Sequence, residues 1–316
     1  MGMYCFGIDV GGTSVKCGLF LTNGTLVEQW EIPTRLENNG SSILPDVADA
    51  IKTKLDERGI TKDNVDGVGI GIPGPVNENG EVPMAVNLHW GFNAVASELS
   101  ALTGLPAKAA NDANIAALGE AWKGAAEGAK NVILVTLGTG VGGGIIIGGR
   151  IYDGMRGAGA ELGHTLLVMD GEPCTCGRRG CWEAYSSATA LIRQTKEAMG
   201  KNLDSAMWTL VDGDINKVDG RTAFNAMRKN DPAGIKVVDT YIHYLAMGIT
   251  NMINLFQPEI LCVGGGIGNE GESLLEPVRK IVNQEHYSVH SVVQTRICSA
   301  KLGNDAGIIG AALLDE

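Results

Sequence analysis

Apolar positions run almost unbroken from Tyr4 to Val10, resume from Ser14 to Phe20, and return between Thr25 and Pro33. Gly11-Gly12 and Asn23-Gly24 separate these runs, and turn residues between β-rich flanks predict an antiparallel meander. From Ser41 to Ile60 the period changes to that of a helix, with Ile43, Val47, Ile51 and Leu55 on one face. A strand (Val65 to Pro73), a helix (Asn93 to Leu105), a strand (Ala107 to Asn111) and a helix (Ala113 to Trp122) follow. The opening theme then recurs: an apolar strand from Val132 to Leu137, a Gly-rich turn from Gly138 to Gly144, and a second strand from Ile145 to Tyr152. This reads as a duplicated strand-turn-strand unit. Further on, helical spacing marks Glu183 to Met199 and Asp231 to Phe256. Glu259 to Val263 is a strand, a helix starts at Gly271, and the chain closes with a strand (Val292 to Ser299) and a helix (Asp305 to Leu314). Asn202 to Asp219 has no regular pattern.

Alternating strands and helices over 316 residues indicate an α/β protein of two lobes. The expected division is residues 1–115, joined by the closing helix 303–316, against residues 116–302. Composition narrows the ligand. A net charge of −11 disfavours a partner bound through its phosphate backbone, so nucleic acid is not expected. No run approaches the roughly 18 apolar residues of a membrane span, and the first residues lack a basic leader or a myristoylation hydroxyl. A soluble, cytoplasmic protein is expected. Of seven cysteines, Cys5, Cys17, Cys262 and Cys298 sit singly in apolar runs, as buried reduced thiols do.

Candidate chemistry lies in the turns. Asp9-Val10-Gly11-Gly12-Thr13 puts a carboxylate at a strand end and glycines in the turn, so that backbone N–H groups can approach a phosphate while Asp9 holds Mg²⁺ through water. The same pentapeptide also suits a plain hairpin. Gly138-Thr139-Gly140-Val141-Gly142-Gly143 fits the dinucleotide fingerprint G-x-G-x-x-G, but Ile145-Ile146-Ile147 continues as a strand where that fingerprint needs a helix. A strand-turn-strand phosphate clamp fits better. The signatures of P-loop enzymes and protein kinases are absent. Lys16 is among the few basic residues near these turns, so N–H dipoles and Mg²⁺ must meet the phosphate charge. Asp112 stands between a strand and a helix, where it is as readily an N-cap as a general base for a sugar hydroxyl. His164, Cys174, Cys176 and Cys181 match Cys₃His structural zinc chemistry, with all four coordination positions filled by protein. That ion would fix the segment carrying Glu161, His164 and Glu183, whose polar atoms suit sugar hydroxyls.

Asp9-x-Gly-Gly-Thr13, Asn111-Asp112, Leu137 to Gly144, Glu161-Leu-Gly-His164, Cys174-x-Cys-Gly-x-x-Gly-Cys-x-Glu183 and Gly264-Gly265-Gly266 occur in this order, and from about residue 4 to 314 the chain resembles the ROK family, within it the bacterial glucokinases. The resemblance implies a two-lobed, actin-like (ribonuclease-H-like) fold with a zinc-binding loop, and an ATP:hexose 6-phosphotransferase with ATP-Mg²⁺ in the cleft. It places sugar and phosphate on the small-lobe side, and the nucleotide site and zinc loop in the larger lobe. It makes Asp112 the base, gives the sugar to Asn111, Glu161, His164 and Glu183, sets Gly74, Pro75 and Asn87 at its border, and puts Gly264, Gly265 and Gly266 by the adenosine. Glucose is the implied substrate, with an N-acetylhexosamine or fructose as the rival and a non-catalytic sugar sensor as the remote one. A homodimer is implied as well.

Overall fold

The computed structural model describes residues 2–314; Met1, Asp315 and Glu316 of the expected lobe boundaries lie outside the described residues. The opening meander forms β1 (Tyr4–Val10), β2 (Ser14–Leu21) and β3 (Leu26–Pro33), each antiparallel to its predecessor. β4 (Val65–Ile72) adds parallel to β1 and β5 (Ala107–Asn111) parallel to β4, giving the order β3-β2-β1-β4-β5. The second sheet contains β6 (Val132–Leu137), β7 (Val141–Ile147), β8 (Arg150–Ile151), β9 (Ile260–Gly264) and β10 (Arg296–Ser299). Its order, β10-β9-β6-β7-β8, is the first order read from the other edge. β7 and β8 pair antiparallel and β9 and β10 parallel, as their counterparts do. The duplication legible in the sequence is therefore a duplication of topology.

The Gly-rich segment departs from expectation. Only residues 138–140 turn, and Gly142, Gly143 and Gly144 already belong to β7. A Cβ on Gly144 would press on the carbonyl of Ala113 and the side chain of Ala117, so close packing excludes a larger residue there. A second tight turn at Gly148-Gly149, both with positive φ, splits the expected Ile145–Tyr152 strand.

Helix α1 (Ile43–Arg58) buries Ile43, Val47, Ile51 and Leu55 as its period predicts and ends on Gly59 at φ 62°. With α2 (Val95–Thr103) it covers a core that includes Phe6, Ile8, Leu19, Val68 and Ile70. The expected helix from Glu183 is two pieces, Glu183–Ser186 and α4 (Ala188–Lys201), after α3 (Asp112–Lys123) in chain order. Ser187 breaks it at ψ 165° and caps α4 by accepting a bond from Ala190 N. α5 (Pro232–Phe256) opens with Asp231 as cap and proline in the first turn, where a missing N–H costs nothing. Trp182 lies over Gly248 of α5 where a Cβ would overlap the indole, and Tyr241 Oη donates to Ser186 O at 2.6 Å. α6 (Glu272–Glu285) follows, and the expected strand from Val292 shortens to β10. The unpatterned Asn202–Asp219 stretch holds a five-residue helix, Ala206–Leu210.

Packing divides the chain into two compact units: residues 1–134, 144–160 and 301–316, and residues 135–143 and 161–300. The boundary expected near residue 115 falls inside α3, which belongs to the first unit because it packs along α7 (Ala306–Ala311). Gly119 and Gly310 let the two helices approach so closely that a Cβ on either would strike backbone. Buried Glu120 secures the arrangement: one carboxylate oxygen accepts from Lys301 N (2.9 Å) and Leu302 N (2.7 Å), the other from Ala125 N (2.7 Å). Among the described residues no helix is long and apolar enough to cross a membrane.

Candidate active site

In the first unit, antiparallel register sets Asp9 opposite Lys16, and the sheet brings Asp112 close enough to act on Asp9 electrostatically. Burial, then the Asp112 charge, raise the Asp9 carboxyl to about 6, with the Lys16 ammonium opposing them. Lys16 Nζ also donates to Asn304 O at 3.0 Å. Two neighbouring carboxylates with one ammonium suit a hydrated divalent cation. The turn between them is open: a Cβ on Gly12 would meet nothing within 4 Å, while Gly11 N donates to Ser14 O at 3.0 Å. Gly12 and Thr13 are exposed.

Asn111, not Asp112, caps α3. Its Oδ1 accepts from Ala113 N (3.0 Å) and Asn114 N (3.2 Å), and Asp112 is the first helical residue. Asp112 Oδ1 shares the Ala113 N–H at 2.8 Å. The cap assignment that made Asp112 a structural residue is corrected, because the chain enters the helix one residue earlier with Asn111 in extended conformation. Asn111 Nδ2 donates to Gly74 O at 3.1 Å, fixing the loop that carries Gly74 and Pro75. Asn87 is exposed on a short 3₁₀ turn, Val86–Leu88, and no described hydrogen bond joins it to Asn111 or Asp112.

In the second unit, one ligand atom each from His164, Cys174, Cys176 and Cys181 lies within 4.8 Å of the others. His164 Nδ1 is 3.6 Å from Cys174 Sγ, and Cys176 Sγ is 3.7 Å from Cys181 Sγ. Tetrahedral zinc with Zn–S of about 2.3 Å and Zn–N of about 2.0 Å sets ligand atoms about 3.5–3.8 Å apart, so the cluster has zinc dimensions. Burial, then the neighbouring thiols Cys176 and Cys174, push the Cys181 thiol up to about 12; the Arg178 backbone N–H lowers that of exposed Cys176. Metal ligation requires these thiols as thiolates, and a bound cation would supply the charge that holds the buried Cys181 in that form.

Glu183 ties this cluster to the Gly-rich turn. Its Oε2 accepts from Val141 N (3.0 Å), and its Oε1 accepts from Thr175 Oγ1 (3.1 Å) and Cys174 Sγ (3.6 Å). A Cβ on Gly140 would collide with the same carboxylate, which accounts for the glycine. The turn is also stitched to the start of α4: Gly138 O accepts from Ala188 N (2.8 Å) and Thr139 O from Thr189 Oγ1 (2.8 Å). A cavity of about 450 Å³ opens here between Thr139, Gly140, Thr175, Glu183, Thr189 and Arg193. Glu161 precedes and His164 ends a 3₁₀ turn, Leu162–His164, whose Gly163 packs on the Val141 carbonyl. Gly265, at φ 81°, packs on the Leu137 backbone beside the same turn, while a Cβ on Gly266 would meet only open space. Gly142 rests on Thr136 Oγ1.

Ser187, Thr189 and Thr175 are the site residues that sequence reasoning missed. Ser187 carried a signal, a serine ahead of a helical run, which a continuous apolar period through residue 183 masked.

The ROK family model matches residues 5–316. The chain belongs to the ROK family. It is 39% identical to a glucokinase of Halalkalibacterium halodurans, covering 98% of this chain and 93% of that protein. It is 30% identical to the N-acetylgalactosamine kinase AgaK of a Shewanella species, over 98% of this chain and 96% of that one. A crystal structure of a ROK family glucokinase from Streptomyces griseus, in complex with glucose and AMPPNP, matches with a TM-score of 0.77 at 34% identity and covers 98% of both chains. The two mixed sheets with their helices are thus the actin-like ATPase fold of ROK kinases.

Proposed function

We propose that the protein transfers the γ-phosphoryl group of ATP to the 6-hydroxyl of glucose, giving glucose 6-phosphate and ADP. The observation that carries this reading is the division of labour at Asn111-Asp112, where Asn111 caps the helix and the adjacent carboxylate stands beside Asp9. The glucokinase relatives and the nucleotide- and glucose-bound ROK neighbour support it.

In this mechanism Asp112 accepts the proton of the 6-hydroxyl as its oxygen bonds to the γ-phosphorus and the bond to the ADP oxygen breaks. Asn111, Glu161, His164 and Glu183 orient the sugar, and Gly74, Pro75 and Asn87 border it. N–H groups of the Gly11-Gly12-Thr13 and Gly138–Gly142 turns receive phosphate oxygens, and the Gly264–Gly266 turn faces adenosine. Asp9 would hold Mg²⁺ through water, and that ion supplies charge neutralisation on the phosphates. His164, Cys174, Cys176 and Cys181 would hold zinc, which supplies local stability and no open coordination position.

A second reading, an N-acetylhexosamine kinase, is favoured by the similarity to AgaK. A coupled ADP-release assay with Mg-ATP across glucose, mannose, fructose, N-acetylglucosamine, N-acetylmannosamine and N-acetylgalactosamine separates the two. Glucose-dominant turnover is expected; preference for an N-acetyl sugar establishes the second reading, and no turnover with any sugar in folded, zinc-replete protein refutes both.

A further inference from the structure

Cys262 and Cys298 are 36 positions apart, and each looks in sequence like an isolated core thiol. The structure makes them direct partners in the parallel register of β9 and β10, with sulfurs 3.8 Å apart. Adjacent strands run about 4.8 Å apart, inside the Cα separation of about 4.4–6.8 Å that a disulfide tolerates. A small rotation of each side chain therefore suffices to bring the sulfurs together. The two thiols differ in access: Cys298 is partly exposed and Cys262 is buried. Two residues beyond Cys262 the strand ends at Gly264, and a one-turn helix, Gly265–Gly268, continues the Gly264–Gly266 run.

We propose that Cys262 and Cys298 form a reversible oxidation site that peroxide closes into a cross-strand disulfide beside the Gly264–Gly266 turn. The Cys298 sulfur, the more accessible of the two, attacks a peroxide oxygen; the O–O bond breaks, and Cys298 sulfenic acid and water are formed. The Cys262 sulfur then attacks the Cys298 sulfur, the S–O bond breaks, and a second water leaves with the Cys262 proton. Two thiols and one peroxide become one disulfide and two waters. Thiols reopen the bond by exchange. Closing the bond fixes Cys262 to Cys298 two residues before the Gly264 end of β9 and so constrains the start of the Gly264–Gly266 segment. The consequence for nucleotide rests on the kinase reading above, whereas the oxidation itself does not.

The test treats zinc-replete protein with a small excess of hydrogen peroxide, alkylates the remaining thiols and maps tryptic peptides without reduction. The expected product joins the peptide of residues 297–301 to that of residues 237–279, is abolished in Cys298→Ser and disappears on adding dithiothreitol. In zinc-retaining oxidised protein the KM for ATP rises on the order of fivefold, the low end of coupling between sites, while that for glucose is unchanged. Cys298 that stays fully alkylatable, or that pairs with Cys174, Cys176 or Cys181 instead, overturns the site. A cross-link with unchanged KM for ATP overturns its action on the turn. Absence of all turnover in the reduced protein would count against the kinase reading and leave the peptide map to decide the oxidation site.

Discussion

The turns after β1 and after β6 occupy equivalent places in two sheets of the same strand order, yet they are held in different ways. The first carries its own charge: Asp9 at the end of β1, with Asp112 and Lys16 acting on it. The second, Gly138-Thr139-Gly140, has no ionisable side chain and borrows a carboxylate from Glu183, forty-odd positions away. A duplicated frame therefore supplies two Gly-rich turns, one with ionisable groups of its own and one that takes a carboxylate from a distant residue. The His164, Cys174, Cys176 and Cys181 cluster belongs to the second arrangement, since Glu183 accepts a bond from Thr175 of the same loop as well as from Val141.

The largest effect should come from dissolving the support of the second turn. Cys176→Ala is expected to lose its zinc and much of its folded protein, because metal binding at such a site contributes of the order of 10 kcal/mol to folding. Metal analysis with circular dichroism checks this, and a zinc-free variant that unfolds like the wild type would detach the cluster from stability. On the first turn, Asp112→Asn should lower kcat by at least about 10²-fold. Its melting temperature should stay near wild type because Asn111 keeps the cap; near-normal turnover would remove Asp112 from the chemistry. Glu183→Gln should cost less, about tenfold in kcat/KM, as charge-assisted bonds to Val141 and Thr175 weaken to neutral ones. If the two turns are as different as they look, steady-state kinetics will show this variant raising KM while Asp112→Asn lowers kcat.

The smallest expected effect is a pH slope. Asp9 holds its proton more tightly in the fold, near 6, than in the unfolded chain, near 3.8. Its contribution to stability is therefore fully present below about pH 4 and is lost as pH rises through about 6. Without Mg²⁺, denaturation midpoints of Asp9→Asn should fall less than those of wild type between these values; parallel profiles would mean that Asp9 is not buried against Asp112.

Much of the fold was legible because its signals are local. The period of α1 and the glycine turns between the apolar runs of β1, β2 and β3 require only neighbouring residues to be read. Where packing decides, local reading went astray. Gly142, Gly143 and Gly144 look like turn residues, yet all three lie in β7, and Gly144 is pressed against Ala113 and Ala117 of α3. The α3 boundary near residue 115 looks like a lobe boundary, and Gly119 against α7 binds that helix into the first unit.

By itself, the sequence determined which chemical groups are available and which recur: a carboxylate before a glycine pair, an Asn-Asp pair at a strand end, four metal-ligand side chains within eighteen positions, and a duplicated strand-turn-strand pattern. Tertiary structure decided which of two adjacent residues caps α3, that Glu183 serves the cysteine-bearing loop and the Gly-rich turn together, and that Cys262 faces Cys298. The reason is range. Covalent spacing limits what neighbours along the chain can do, whereas the partner of a hydrogen bond or a thiol across a sheet depends on register, and register is set by the packing of the whole unit.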